Sequence, residues 1–478
     1  MQRWRILSKK KRFRWIAIIL VILVLLIALM PQLLFLEQES KKDTLQRIKE
    51  RGQIIALTDL NSLNYFLYRG TPMGYQLDLL QSFAKELGVS LKIIVSNNIS
   101  ELYYFLELHI GDVIALNLPV TKEGKLLLNY SGELGETKLV LIQRKPLTGD
   151  HRKPAKLIRS FSDFLYDTIY YRSNAFFLPL IRKFIDETGD RITLIENRTN
   201  NPEELVRMVS KGKIDYAICP ENLANVLTKQ YKNIDAEILL SGPYKFAWGT
   251  GHYSDSLIRK LNTWIDEINR KNEMQNIYLS YYDNPKVVSY FQNDYCSLKG
   301  NKICPYDAEI RKESKLLHWD WQLLASLIYE ESNFHTGQVS VRNATGLMQL
   351  TPDIAGKFGM DSTSSAGTQI AAGVKYLRWL DRQLPHEITD QKERIQFILA
   401  AYNIGLGRIL SAREKAARYG KDPNKWNHNV DYYLTHRSKR EPVLKIDTGQ
   451  YAFSYPEPGR YVNDILDRYN HYKNIIPR

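Results

Sequence analysis

The chain has 478 residues, 44% of them hydrophobic and 25% charged, which is ordinary globular material for two or three domains. Its formal net charge of +14 resembles a nucleic-acid signal, but Arg3, Arg5, Lys9, Lys10, Lys11, Arg12 and Arg14 supply half of it, and no Lys/Arg-rich stripe follows. The pattern argues against nucleic acid as a partner, and three cysteines without CxxC or His/Cys spacing argue against a metal site; no cofactor is expected.

Trp15 to Met30 is an unbroken apolar run that resumes, after Pro31 and Gln32, from Leu33 to Leu36. At about 1.5 Å per residue, residues 15–36 match the roughly 30 Å hydrocarbon thickness of a bilayer, so a transmembrane anchor is expected. A removed signal peptide is the competing reading. It is disfavoured because the run is long, no small-x-small site follows, and no nearby cysteine could be acylated. The cations of residues 1–14, against Glu37 and Glu39 after the run, place the tail in the cytoplasm and the remainder in the periplasm. A single-pass protein of the cell membrane is expected, with outer-membrane association left open.

From Leu45 onward strands and helices alternate. Ile54–Leu57 reads as a strand, Leu77–Leu87 as a helix, Leu91–Val95 as a strand and Ile99–Leu108 as a helix, a pattern that predicts parallel α/β layers. The alternation resumes through Phe161–Leu165, Asn174–Glu187, Thr193–Ile195, Pro202–Lys211 and Tyr216–Ile218, so a second lobe with a cleft between the two is expected. Residues 37–285 form this α/β bilobal unit in the predicted organisation.

The segments ERGQIIALTDLN, GYQLDLLQSFAKELGV, GDVIALNLPVTKEGK and GKIDYAICPENLA resemble the bilobal solute-binding proteins for polar amino acids, family 3. The resemblance implies an Arg that grips the ligand carboxylate and an acid that takes its ammonium. Gly124 and Pro220 stand at those positions, with Lys125 and Glu221 adjacent. Two readings stay open: a spacer or docking module, and a retained site for a small ligand or muropeptide.

After Tyr282-Asp283-Asn284-Pro285 the pattern turns mostly α, beginning with Tyr306–Leu317 and Trp321–Ser332, and residues 286–478 are expected to form a second domain. Cys296 and Cys304 could close a short loop in an oxidising compartment or remain unlinked. In Trp321–Ser332, Leu323, Leu324, Leu327 and Ile328 define one face. At 100° per residue Glu331 projects within about 10° of its centre and Glu330 about 90° away. A carboxyl on an apolar face loses hydration of its charged form and keeps a proton near neutral pH, as a general acid requires.

Glu331-Ser332 is followed by Ser340, Ala344-Thr345-Gly346-Leu347-Met348-Gln349, Thr351-Pro352, Gly373-Val374-Lys375-Tyr376-Leu377, Ala401-Tyr402-Asn403-Ile404-Gly405 and Tyr461-Val462. This order resembles the lytic transglycosylases with a goose-lysozyme-like fold. With the front unit it resembles the membrane-bound lytic murein transglycosylases of the F type. The resemblance implies that Glu331 is catalytic, that Met348 and Gln349 line the sugar groove, that Tyr402 and Asn403 orient acid and substrate, and that Ser340 sits near the reacting sugar. Peptidoglycan glycan strands are the implied substrate, and formation of a 1,6-anhydro ring by one carboxyl the implied chemistry. Asn343 and Thr351 depart from the usual pattern, and Asp353 reads as the first-turn acid of a helix, not a second catalytic carboxyl. A receptor whose C-terminal domain only binds peptidoglycan is the alternative from another class, and plain hydrolysis is a third reading.

Overall fold

The computed structural model describes residues 43–145, 156–172, 178–197, 202–291, 293–299, 302–435 and 457–475. The apolar run at 15–36 and the basic tail lie outside the described residues. Among those described, no helix is long and apolar enough to cross a membrane.

The first lobe is a sheet of Ser90–Val95, Gln53–Thr58, Val113–Pro119, Tyr244–Thr250 and Asn129–Tyr130 in that spatial order. Helix Tyr75–Leu87 packs on it, ending where Gly88 takes the left-handed conformation that closes many helices. The second lobe orders Ile192–Asn197, Asp167–Arg172, Tyr216–Pro220, Leu139–Arg144 and Ile234–Leu239.

Both sheets are mixed, which corrects the parallel expectation. Leu139–Arg144 runs antiparallel to both of its neighbours, and Tyr244–Thr250 runs antiparallel to Val113–Pro119. These are the strands on which the chain enters the second lobe and returns to the first, and a returning strand arrives from the opposite direction. Phe161–Leu165 also differs: Phe161–Asp163 is a short 3-10 turn closed by a Ser160/Asp163 capping box, and the strand begins at Asp167.

The third part is helical, as the periodicity predicts, with Asp307–Ser314, Trp321–Ser332, Pro352–Phe358, Ala366–Gln383, Gln391–Ile404, Leu406–Arg418 and Glu457–Ile475 as its main helices. Cys219, Cys296 and Cys304 are buried free thiols, so Cys296 and Cys304 close no loop.

The helical part is seated on the first lobe. One buried apolar cluster runs from Tyr65 and Phe66 through Tyr281 and Phe291 to Leu327 and Tyr472. The hairpin Phe66–Tyr68/Thr71–Met73 carries the contact: Tyr472 Oη donates to Gly70 O at 2.9 Å, and the Thr71 and Tyr329 hydroxyls pair at 2.8 Å. Gly70 has φ 79°, and a Cβ there would stand 2.5 Å from Tyr472 Oη and 2.8 Å from the Phe334 ring. Only glycine lets the hairpin approach this closely. The last described helix also reaches the first sheet, where Asn474 Nδ2 donates to Ile93 O at 2.6 Å.

Candidate active site

Leu323, Leu324, Leu327 and Ile328 are all buried on Trp321–Ser332, and Glu331 continues their side at the end of the helix. Asn333 and Phe334 then both adopt left-handed φ, 49° and 62°, and turn the chain away immediately after the acid. Ser332 fixes this end by donating to Ile328 O at 3.1 Å and Leu347 O at 2.8 Å.

The loop that Ser332 holds, residues 338–350, is built largely from side chain to backbone bonds. Ser340 Oγ accepts the N–H groups of Arg342 (3.3 Å) and Ala344 (3.1 Å). Asn343 takes φ 56°, a conformation its short amide side chain tolerates, which accounts for its standing where glycine is usual. Gly346, at φ 78°, lets Gln369 Oε1 come close enough to accept from Leu347 N at 2.8 Å; a Cβ at Gly346 would lie 2.5 Å from that oxygen. Gln349 Nε2 donates to Gly346 O (2.8 Å) and Gln338 O (3.0 Å), so its amide nitrogen braces the loop.

Met348 is fully buried against Gly373, where an added Cβ would lie 2.1 Å from its sulfur. Its side chain is therefore not available to line a surface groove, and its backbone carbonyl accepts the Tyr402 hydroxyl at 2.5 Å. Tyr402 rides on Gln391–Ile404, with Asn403 exposed at the end of that helix. Burial and the neighbouring Glu331 charge hold the Tyr402 phenol well above its ordinary pKa, so it stays a neutral donor. Asp353 is exposed in the first turn of Pro352–Phe358, behind Pro352 at the first helical position.

Tyr461 completes the site. From Glu457–Ile475 it donates its hydroxyl to Glu331 Oε1, a contact between residues 130 positions apart that the motif order alone does not reveal. Burial pushes the Glu331 carboxyl up to about 7; the Tyr461 hydrogen bond opposes this and the Glu330 charge adds to it. Glu330 is occupied otherwise, bonded to Arg468 Nη2 at 3.1 Å, with the guanidinium 4.0 Å from the Tyr329 ring centre. The arrangement supplies one carboxyl that is protonated in a large share of molecules near neutral pH, oriented by a phenol.

In the front unit, Gly124 opens a short 3-10 turn, and an added Cβ would lie 2.2 Å from Tyr130 Oη, so a side chain there would have to displace that hydroxyl. Lys125 is exposed, and Pro220 precedes the helix that Glu221 begins. The charged pair in the cleft is a different one: Arg172 of the second lobe donates to Asp59 of the first, whose side chain is 1% exposed.

Two family models match the chain: Bacterial extracellular solute-binding proteins, family 3, over residues 53–284, and Transglycosylase SLT domain over residues 309–427. With the geometry above they define a two-part protein in which a solute-binding-type unit precedes a lysozyme-like transglycosylase unit. Membrane-bound lytic murein transglycosylase F of Desulfosudis oleivorans is 28% identical over 444 residues, covering 91% of this chain and 93% of its own length. The protein of that name from Pseudomonas fluorescens (strain Pf-5) is 26% identical over 443 residues, covering 90% and 87%. Over about nine-tenths of its length the chain is thus similar to the membrane-bound lytic murein transglycosylases of the F type. Among solved structures, a mutant of ArgBP from T. maritima aligns with a TM-score of 0.43 and 16% identity, covering 50% of this chain and 100% of that one.

Proposed function

We infer that this protein is an enzyme that cuts murein glycan strands as a lytic transglycosylase, with Glu331 as its acid and then its base. The observation that carries the assignment of the acid is the Glu331 carboxyl, raised to about 7 by burial and held by Tyr461.

Glu331 gives its proton to the glycosidic oxygen that leaves with N-acetylglucosamine, and the C1–O bond of N-acetylmuramic acid breaks. The C6 hydroxyl of the same muramic residue then attacks C1 while its proton passes to the Glu331 carboxylate, closing a 1,6-anhydro ring and restoring the acid. The nucleophile is already part of the substrate, so its proximity replaces an enzyme-held water and no second carboxylate is needed. Tyr461 orients the acid, Tyr402 and the Ser340–Gln349 loop shape the wall of the groove, and Asn403 faces the substrate.

Residues 37–285 serve as the solute-binding-type unit and 286–478 as the catalytic unit. The protein is membrane-associated, with residues 15–36 as a single anchor and the bulk of the chain in the periplasm; the apolar length of that run and the charges flanking it support this. The bilobal unit offers a cleft for a small ligand.

Mass analysis of products from purified murein tests the chemistry. Muropeptides with 1,6-anhydromuramic ends are expected. Products heavier by one water, about 18 mass units, would identify a hydrolase and overturn the assignment.

A further inference from the structure

The cleft between the lobes encloses a cavity of about 80 Å³ with largely apolar walls, Leu63 and Leu116 from the first lobe and Leu139 and Ile218 from the second among them. Its polar groups are unevenly satisfied. Asp59 accepts from Asn61 Nδ2 (2.8 Å), Asn64 Nδ2 (2.6 Å) and the Arg172 guanidinium, leaving it little capacity to hold a ligand ammonium. Arg172 donates to Asp59 and, through Nη2, to Asn97 O at 2.7 Å, but its buried Nε has no acceptor. Asn222, 8% exposed, likewise has a buried Nδ2 without an acceptor. The Tyr282 hydroxyl lies beside Asn117 and Asn222. Unmade hydrogen bonds of buried groups cost about 1–3 kcal/mol each, so among the described residues these donors lack an acceptor.

Charge decides which acceptor. Asp59 already neutralises Arg172, so the charges of the cavity wall balance. A carboxylate entering the cavity would leave a net buried negative charge, which is strongly disfavoured, whereas a carbonyl oxygen accepts the same N–H groups without charge.

We propose that the cleft takes a small neutral amide with a branched apolar body, its carbonyl oxygen accepting from Arg172 and Asn222. This rests on the reading of the front unit as a small-ligand site. It gives that site a recognition chemistry different from the carboxylate-and-ammonium clamp of amino-acid binders.

Isovaleramide, isovalerate and leucine share one branched hydrocarbon body and differ in charge. They are titrated calorimetrically into the full-length protein in detergent. Isovaleramide is expected to bind at least tenfold more tightly than either of the others, and Asn222→Ala to weaken it about tenfold while murein cleavage is unchanged. Removing Arg172 would strand the Asp59 charge, so Asn222 is the position to vary, with a thermal melt confirming its fold. Leucine or isovalerate binding as tightly as the amide would refute the proposed chemistry and leave a small-ligand site standing. Heat from none of the three would overturn the proposal together with the small-ligand reading. The lytic assignment is judged separately by product mass.

Discussion

Tyr461 donates its phenolic hydrogen to Glu331 across 130 positions of sequence, from a helix whose other end is bonded to the first lobe through Tyr472 and Gly70. The hydrogen bond favours the carboxylate while burial favours the acid, and burial wins, leaving the group near 7. The predictions concern this balance and the contacts that support it.

Glu331→Gln is expected to abolish cleavage of purified murein, a loss of at least about 100-fold, because the amide has no acidic proton to transfer. The same change should stabilise the fold above neutrality. A carboxyl raised from 4.5 to about 7 on folding binds more protons folded than unfolded between those values, so its penalty grows as pH rises through that window. At pH 8 the variant should melt a few degrees higher than the parent, and at pH 4 the difference should vanish. Full activity of the variant would remove Glu331 from the mechanism.

Tyr461→Phe removes the one hydrogen bond that lowers the Glu331 pKa. Activity requires the protonated acid and falls as pH rises through that pKa, so the alkaline limb of kcat/KM should move to higher pH. A lower maximal rate is expected as well, since the carboxyl loses its orientation. An unshifted limb with only a uniform loss would mean that the phenol does not tune the acid.

Gly70→Ala and Gly52→Ala form a matched pair. Both glycines have positive φ, 79° and 67°, but a Cβ on Gly52 meets nothing within 4 Å, whereas on Gly70 it overlaps Tyr472 and Phe334. Gly52→Ala should cost about 1 kcal/mol from backbone strain alone, and Gly70→Ala about 2–4 kcal/mol, with activity falling alongside stability. Equal melting temperatures for the two variants would show that the hairpin is not tightly seated.

The N-terminus should remain intact and the protein should sediment with membranes. Replacing residues 1–36 by a cleavable signal should release a soluble, active enzyme, since Glu331 and Tyr461 both lie well beyond residue 36. N-terminal sequencing that begins between residues 28 and 45 would show instead a removed signal.

Much of this was legible in the sequence wherever local periodicity sets the structure. Leu323, Leu324, Leu327 and Ile328, spaced as one helical face, are buried as expected, although the structure buries every position from Trp321 to Ile328 and not one face alone. The crossing strands Leu139–Arg144 and Tyr244–Thr250 were not legible, because their antiparallel direction depends on partners far away in sequence. The same holds for Tyr461 against Glu331 and for Arg172 against Asp59, 130 and 113 positions apart, where neither partner carries a local mark of the other. Met348 stands in a pattern associated with the groove, yet it is Gly373, whose missing side chain admits the sulfur, that draws it under the surface.

The union of Tyr472 with Gly70 also sets an order of events during synthesis. The two residues are 402 positions apart, and Tyr461 precedes Tyr472 on one continuous helix. The front lobe can fold as it emerges, since domains generally form in the order they are made. The phenol that orients the acid is among the last groups to be supplied, and its helix docks on a surface made hundreds of residues earlier. A chain not yet made as far as Tyr461 therefore carries Glu331 without its partner, and a potentially destructive wall-cutting activity is assembled only once the helix Glu457–Ile475 has been made.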